Sequence, residues 1–255
     1  MVPTVAVLHH LESPFLGHAE AALEGAGVAV EHCDLRRGEA LPSLSDIDGM
    51  LSLGGEQSAR ELARHPYLAA EVELLAEAAG ARGIPVLGIC LGGQLLARAL
   101  GGRVERMVRR TVGWAPLRPL APAAADPLFR TVGSGAMALH WNEDSFSLPP
   151  GAVELAAPTG PGCEAFRHGD DAWGVQFHPE VDAEALDDWY RSDAGWLSDA
   201  GVSEADARAQ DARHLAGQRA TGAALFGGFA RVVATSASVR THPSVQKTSR
   251  SRPLR

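Results

Sequence analysis

The fold is decided by the stretch Ile84-Pro85-Val86-Leu87-Gly88-Ile89-Cys90-Leu91-Gly92-Gly93-Gln94, which continues into helix formers and stops at Gly101-Gly102. A short apolar run, a Gly-x-Cys-x-Gly turn and a helix closed by glycine form the strand, turn and helix of a nucleophile elbow. Gly88 and Gly92 lack the Cβ atoms that would collide in so sharp a turn. A helix that begins near Leu91 directs unpaired N–H groups at the sulfur, which favours the thiolate. The pattern predicts Cys90 as a nucleophile; the alternative is a buried free cysteine at a strand end.

A candidate base lies far downstream, in Ala172-Trp173-Gly174-Val175-Gln176-Phe177-His178-Pro179-Glu180. Residues two apart in an extended segment point to the same side, so Glu180 can reach back to His178 and fix its tautomer. His178 would take the thiol proton, and Glu180 would orient the imidazole. The alternative for this motif alone is a strand end followed by a surface acid.

These two motifs, in this order, resemble those of the class I glutamine amidotransferases, a triad family with a Gly-x-Cys-x-Gly elbow and a later His-Pro-Glu. The likeness covers about the first three quarters of the chain and is greatest to stand-alone members similar to the glutaminase domain of GMP synthetase. The resemblance implies that the cysteine attacks the side-chain amide of glutamine and releases ammonia. Water then hydrolyses the γ-glutamyl thioester.

The resemblance also implies an oxyanion hole and substrate contacts. Gly54-Gly55-Glu56 occupies the position of a Gly-Gly-Pro in the family, so the N–H groups of Gly55 and Leu91 are the expected donors, although Glu56 replaces the proline. An ordinary strand-to-helix turn is the alternative. The expected contacts to the glutamine side chain come from the residues Gln94, Trp141 and Asn142. Gln94 could equally be an exposed helix residue, and Asn142 stands where relatives often have histidine.

Short apolar strands alternate with helical patterns in the first half of the chain. Strands are predicted at Val2–Leu8, Val28–Asp34 and Gly49–Leu53, and helices at Phe15–Leu23 and Pro66–Ala81. This order predicts an α/β fold with a doubly wound, mostly parallel sheet, helices on both faces and its site at the carboxyl ends of the strands. The resemblance makes the sheet flavodoxin-like.

The second half of the chain predicts additions to that sheet. Strands at Arg103–Val108 and Val112–Leu117 are expected to be joined by a basic turn, and further strands lead to His178. From Ala183 the pattern becomes helical. The expected organisation is a catalytic domain over residues 1–192, a helical extension over 193–234 that packs on it, and a disordered basic tail over 235–255.

Composition narrows the class of protein. The 255 residues can bury one full core, and a net charge of −8 argues against a nucleic-acid or anionic-membrane surface. Three cysteines without Cys-x-x-Cys spacing indicate neither disulfides nor a zinc site, and His9, His10 and His18 have no convincing metal partner. No leader pattern and no run near 18 apolar residues is evident. We therefore expect a cytoplasmic protein that binds neither metal nor cofactor and does not enter a membrane.

Three functions remain open at this point. The leading one is hydrolysis of glutamine to glutamate, with ammonia passed to an acceptor on another chain, since no synthetase module is visible. The second is hydrolysis of other γ-glutamyl amides or peptides by the same acyl chemistry. The third is a non-catalytic regulatory partner that keeps the fold, which Glu56 and Asn142 motivate.

Overall fold

A computed structural model describes residues 2–11, 15–192 and 194–241 of the chain. The strands are β1 (Thr4–His9), β2 (Ala29–Asp34), β3 (Gly49–Ser52), β4 (Val86–Ile89), β5 (Val104–Pro116), β6 (Arg118–Pro119), β7 (Met137–Phe146), β8 (Val153–Ala157), β9 (Ala165–His168) and β10 (Ala172–Val175). The helices are α1 (His18–Gly25), α2 (Pro66–Glu77), α3 (Leu91–Ala99), α4 (Ala183–Ser192), α5 (Ala194–Ala200) and α6 (Glu204–Thr241).

One sheet of eight strands runs through the molecule in the order β2-β1-β3-β4-β10-β9-β8-β6. The first five strands are parallel, and β9, β8 and β6 add antiparallel pairs. The predicted doubly wound, mostly parallel sheet is confirmed. In the centre, Ile89 of β4 pairs with Val175 of β10, so the residues that follow these two strands leave the sheet side by side.

Helices cover both faces of this sheet because its strands are apolar on both sides. On one face, α1 and α6 bury Leu23, Phe226 and Phe229 in a core that also contains β1 and β4 residues. On the other face, α2 and α3 bury Leu68 and Leu95 in a second core. Each large buried apolar side chain contributes about 1.5–3 kcal/mol, so both layers are needed to hold the sheet.

The predicted turn at Arg109-Arg110-Thr111 is wrong. Residues Val104–Pro116 form one long strand, β5, which pairs antiparallel with β7 in a separate two-stranded sheet. The register of the pair shifts between Arg106, which pairs with Asp144, and Thr111, which pairs with Asn142. The irregularity, of the β-bulge kind, therefore contains Arg109 and Arg110, whereas Thr111 is already back in register.

Helix α6 is longer than the sequence predicts. Its N-terminus is capped by Ser203, whose Oγ accepts from Asp206 N–H at 3.1 Å. The sequence predicts a disordered tail from Thr235 onward, but the helix continues to Thr241, so this prediction is wrong for residues 235–241. In this part of the helix Ala237 is buried, and Arg240 pairs with Asp48 at 2.7 Å. The rest of the predicted tail lies outside the described residues.

By length and composition alone, α6 could also cross a membrane, although the sequence shows no run near 18 consecutive apolar residues. The buried core helices of globular proteins can have the same length and apolar composition. Since Phe226, Phe229 and Val233 are fully buried against the sheet, the structure accounts for the apolar side of α6 by packing within the domain.

Candidate active site

Cys90 occupies a strained turn between β4 and α3. Its φ is +50°, and it is the only non-glycine residue in the described part of the chain with a positive φ. Hydrogen bonds hold this conformation: Cys90 N–H donates to Val175 O at 2.9 Å, and Gln94 N–H donates to Cys90 O at 2.9 Å. A methyl group added at Gly92 would lie 2.1 Å from Ser52 O, so the glycine in this turn is required.

His178 follows the neighbouring strand β10 and is paired with Glu180. The imidazole Nδ1 lies 2.7 Å from Glu180 Oε1, and both side chains are buried. The backbone of this segment is fixed as well, because His178 N–H donates to Leu139 O at 2.9 Å and the side-chain amide of Gln218 donates to His178 O. Since Glu180 accepts from Nδ1–H, the pair favours the tautomer that leaves Nε2 free as a base.

The environment of His178 raises its pKa well above 6.5. Burial is the largest single influence and lowers the pKa, but the charge of Glu180, then the neighbouring Cys90 and the hydrogen bonds to both, outweigh it. The site therefore stabilises an imidazolium, which is the form that His178 takes after it accepts a proton.

Cys90 and His178 converge on the loop after β3. A methyl group added at Gly54 would lie 3.0 Å from His178 Cε1 and 3.7 Å from Cys90 Cβ. Both residues line the same cavity. Nε2 of His178 is buried and has no hydrogen bond of ordinary geometry to any residue the structure describes. Because Nδ1 is paired with Glu180, Nε2 is the nitrogen left to interact with the Cys90 thiol.

The two residues expected to supply oxyanion donors are in contact. A methyl group at Gly55 would lie 2.8 Å from Leu91 Cδ2, so Gly55 packs directly on the start of α3. Leu91 is the first residue of that helix, and its N–H has no partner within the helix. Gly55, Leu91 and Cys90 together line a small cavity of about 30 Å³.

A much larger cavity of about 770 Å³ opens beside Cys90. Trp141 forms one wall, as the sequence predicted for a substrate contact. The sequence did not predict that Trp189 of α4 and Trp196 of α5 pack against it. The Trp189 ring is tilted at a centroid distance of 5.4 Å, and the Trp196 ring is stacked at 6.2 Å. Their apolar spacing fits ordinary helix packing, so no local signal marked them as residues of the site.

Gln94 and Asn142 do not line the large cavity; together with Trp141 they line the small cavity beside Cys90. Gln94 is buried, which excludes the alternative of an exposed helix residue, and its Nε2 donates to Asp144 O at 3.1 Å. Asn142 Nδ2 donates to the same oxygen at 3.0 Å. The sequence did not predict Gln176, whose side-chain amide lies 3.7 Å from Cys90 Sγ and 3.4 Å from Gln94.

The other thiols differ from Cys90 in their surroundings. Burial raises the pKa of Cys33 to about 11 and that of Cys163 to about 12, so both stay protonated at neutral pH. Among residues 2–11, 15–192 and 194–241, no group of three or more His, Cys, Asp or Glu side chains is placed to hold a metal ion.

Comparison with known proteins gives consistent matches. A family model described as glutamine amidotransferase class-I matches residues 20–193. The glutamine amidotransferase-like protein YfeJ of Salmonella typhimurium is 32% identical over 181 residues, which cover 69% of this chain and 75% of that protein. The glutamine-hydrolysing GMP synthase of Thermus thermophilus is 42% identical over 101 residues, which cover 39% of this chain but only 19% of that protein.

Solved structures match over a longer span. A glutamine amidotransferase from Thermotoga maritima has a TM-score of 0.80 at 26% identity and covers 91% of this chain and 99% of its own. A glutamine amidotransferase from Methylobacillus flagellatus has a TM-score of 0.80 at 25% identity, with coverage of 91% and 95%.

Proposed function

Since this chain belongs to the class I glutamine amidotransferase family, we propose that it hydrolyses the side-chain amide of glutamine through a γ-glutamyl thioester on Cys90. The main support is the arrangement around Gly54, where a buried imidazole with one nitrogen paired to Glu180 presents its other nitrogen beside a strained thiol. A nucleophile, a base and an orienting carboxylate are the groups that acyl transfer requires.

The steps follow from these positions. His178 Nε2 takes the proton of Cys90 Sγ, and the thiolate attacks the amide carbon. The N–H groups of Gly55 and Leu91 stabilise the oxyanion of the tetrahedral intermediate. The His178 imidazolium then protonates the departing nitrogen, the C–N bond breaks, and ammonia leaves. Water, deprotonated by His178, attacks the thioester and releases glutamate with the thiol restored.

The released ammonia needs an acceptor, which we place on another chain. The match to the Thermus thermophilus protein covers about a fifth of a GMP synthase that is named as glutamine-hydrolysing. This match supports the proposal that the chain supplies the glutaminase activity and that a synthetase subunit is its partner. We further propose a cytoplasmic location, where a free thiol nucleophile remains reduced.

Replacement of Cys90 tests the proposal. Cys90→Ser and Cys90→Ala should lose release of glutamate from glutamine by at least about a thousandfold, because the nucleophile is gone. Cys33→Ser is the matched control, since Cys33 is also a buried free cysteine, and it should keep wild-type turnover. Glutamate release should be measured with and without co-purified partner proteins. Turnover that survives in Cys90→Ala would refute the mechanism.

The size of the main cavity favours a second candidate, hydrolysis of larger γ-glutamyl amides or peptides. A volume of about 770 Å³ lies in the roughly 300–1,000 Å³ range of pockets for drug-sized ligands, which is more than one amino acid needs. Trp189 and Trp196 could contact a leaving group larger than ammonia. Turnover of glutamine should be compared with a panel of γ-glutamyl amines and dipeptides, and a strong preference for glutamine would exclude this candidate.

A non-catalytic regulatory role is the remaining alternative. This role requires that the Cys90 thiol does not react with glutamine or with a glutamine analogue. Covalent labelling of Cys90 by a glutamine-like electrophile, with protection by excess glutamine, would exclude it.

A further inference from the structure

A buried charged cluster lies beneath the Gly54-Gly55 loop and takes no part in the proton transfers above. Glu71 of α2 is fully buried. Its Oε2 lies 2.7 Å from His10 Nε2, and its Oε1 accepts from Ser52 Oγ–H at 2.6 Å. Both carboxylate oxygens are therefore satisfied by side chains from β3 and from the end of β1.

Such a cluster is not explained by stability alone. Removing a carboxylate from water costs several kcal/mol, and well-packed apolar side chains often replace a buried ion pair without loss of stability. Burial lowers the pKa of His10, but the charge and hydrogen bond of Glu71, with the backbone of Gly54 and Leu53, raise it above 6.5 in sum. The cluster is thus a charged, directional contact between three elements.

Through His10, the cluster contacts the loop that carries Gly55. A methyl group at Gly55 would lie 2.6 Å from His10 Cβ, so His10 forms the floor under this residue. The side-chain amide of Gln57, in the same loop, donates to His10 O at 3.3 Å. A movement of His10 would therefore move the loop.

Through Ser52, the cluster contacts the turn between β4 and α3 that carries Cys90. Ser52 packs so closely on the first turn of α3 that a methyl group at Gly92 would lie 2.4 Å from Ser52 Oγ. Gly92 N–H also donates to Leu53 O at 3.1 Å. A movement of Ser52 would therefore move the residues next to Leu91.

We propose that Glu71 is a positioning residue that sets the spacing between the N–H groups of Gly55 and Leu91, because it holds His10 under one and Ser52 against the other. The inference rests on the proposed function, since this spacing matters only if an oxyanion forms between the two groups. Interactions made mainly with the transition state affect kcat and leave substrate binding almost unchanged.

The test uses Glu71→Gln and Ser52→Ala in the full chain, with Glu77→Gln as the control. Glu77 lies on the same helix but is exposed and pairs with Arg82 at 3.1 Å. Glu71→Gln should lower kcat for glutamine about ten- to a hundredfold with little change in KM. Alkylation of Cys90 by iodoacetamide should slow far less than turnover, because displacement of iodide by Sγ forms no oxyanion between the two N–H groups.

Hydrogen exchange supplies a readout that does not need turnover. In Glu71→Gln, amides in segments 53–57 and 90–94 should exchange faster together, while the rest of the sheet and the Glu77→Gln control exchange as in the wild type. If Glu71→Gln does not fold, Ser52→Ala supplies the kcat and KM test, because it removes only the hydroxyl that joins Glu71 to the first turn of α3. Its faster exchange is expected in segment 90–94 alone.

For Glu71→Gln, either of two results would overturn the inference: a kcat that does not fall, whether or not KM rises, or faster exchange that is spread over the whole sheet or confined to one segment. An unchanged kcat in Ser52→Ala would overturn it as well. Failure of the proposed function would look different. The wild type would then show no Cys90-dependent turnover, and the exchange experiment would still decide whether Glu71 couples the two segments.

Discussion

Single residues determine which nitrogen of His178 can act as a base. Glu180 lies two residues away and accepts from Nδ1, so the base is oriented by its own segment of chain. This local arrangement explains why the sequence alone could predict it. Cys90, between its glycines, carries an equally local signal, and the family resemblance drawn from both motifs is confirmed.

Loss of the Glu180 charge should change how stability depends on pH. The folded pKa of His178 lies above its ordinary value of 6.5, so its contribution to stability is complete below that pH and is lost as the pH rises through the folded pKa. We expect Glu180→Gln to cost roughly 1.5–3 kcal/mol of unfolding free energy at pH 6 and less at pH 9.

Urea unfolding at the two pH values measures this difference. Glu184→Gln, at an exposed position in the first turn of α4, is the control and should cost little at either pH. A cost for Glu180→Gln that grows with pH would contradict the sign of the linkage.

Residue contacts between distant parts of the chain could not be predicted. His10 and Glu71 are 61 residues apart, and Trp189 and Trp196 meet Trp141 because α4 and α5 share a hydrophobic cluster with β7. In sequence, a lone histidine and a helical glutamate are typical of surfaces, so burial of the pair leaves no local mark.

Among the elements, α6 packs against the segment that carries His178 and holds its backbone in place. Gln218 donates to His178 O, and Gly222 packs against Pro179 so closely that an added methyl group would lie 2.4 Å from Pro179 O. The position of the imidazole thus depends on a helix that lies beyond the family match, which ends at residue 193.

Two glycines on α6 allow a matched test of this brace. Gly222→Ala should push the helix away from Pro179, lower kcat and cost about 1–3 kcal/mol of stability. Gly217→Ala, where no atom lies within 4 Å of an added methyl group, should instead stabilise the helix by up to about 1 kcal/mol and keep activity. Thermal unfolding and kcat report both effects, and equal behaviour of the two variants would contradict the brace.

Helices and strands were predicted correctly where the apolar residues follow a single helical or strand-like spacing. The parallel strands are short apolar runs between helices, and that alternation predicted a doubly wound, mostly parallel sheet but not the order of its strands. The β5 turn failed because charged residues at 109–110 suggested a turn, whereas pairing with β7 continues past a bulge. Tertiary pairing of this kind overrides local propensity.

At the scale of the whole molecule, both faces of the sheet must be covered. Leu225, Phe226, Phe229 and Val233 of α6 are each at most 1% exposed and belong to the core under β1 and β4. Their burial contributes about 6–12 kcal/mol in total, which is comparable to the roughly 5–15 kcal/mol stability of a typical domain.

A chain that ends at residue 203 should therefore fail to fold, although it contains the whole family match. A chain that ends at Thr241 keeps every contact described above and should fold and unfold as the full chain does. Circular dichroism and gel filtration separate the two outcomes. A folded, monomeric 1–203 fragment would show that the sheet does not need α6.

Because α6 packs against the segment that bears His178, this segment is synthesised before the helix that holds it in place. A ribosome adds about 5–20 residues per second, so the 38 residues of this helix take about 2–8 s to appear after the preceding chain has left the tunnel. During that interval the thiol and the imidazole already exist, but the scaffold that aligns them does not. The alignment of the two groups is therefore expected only after α6 has been made and has packed.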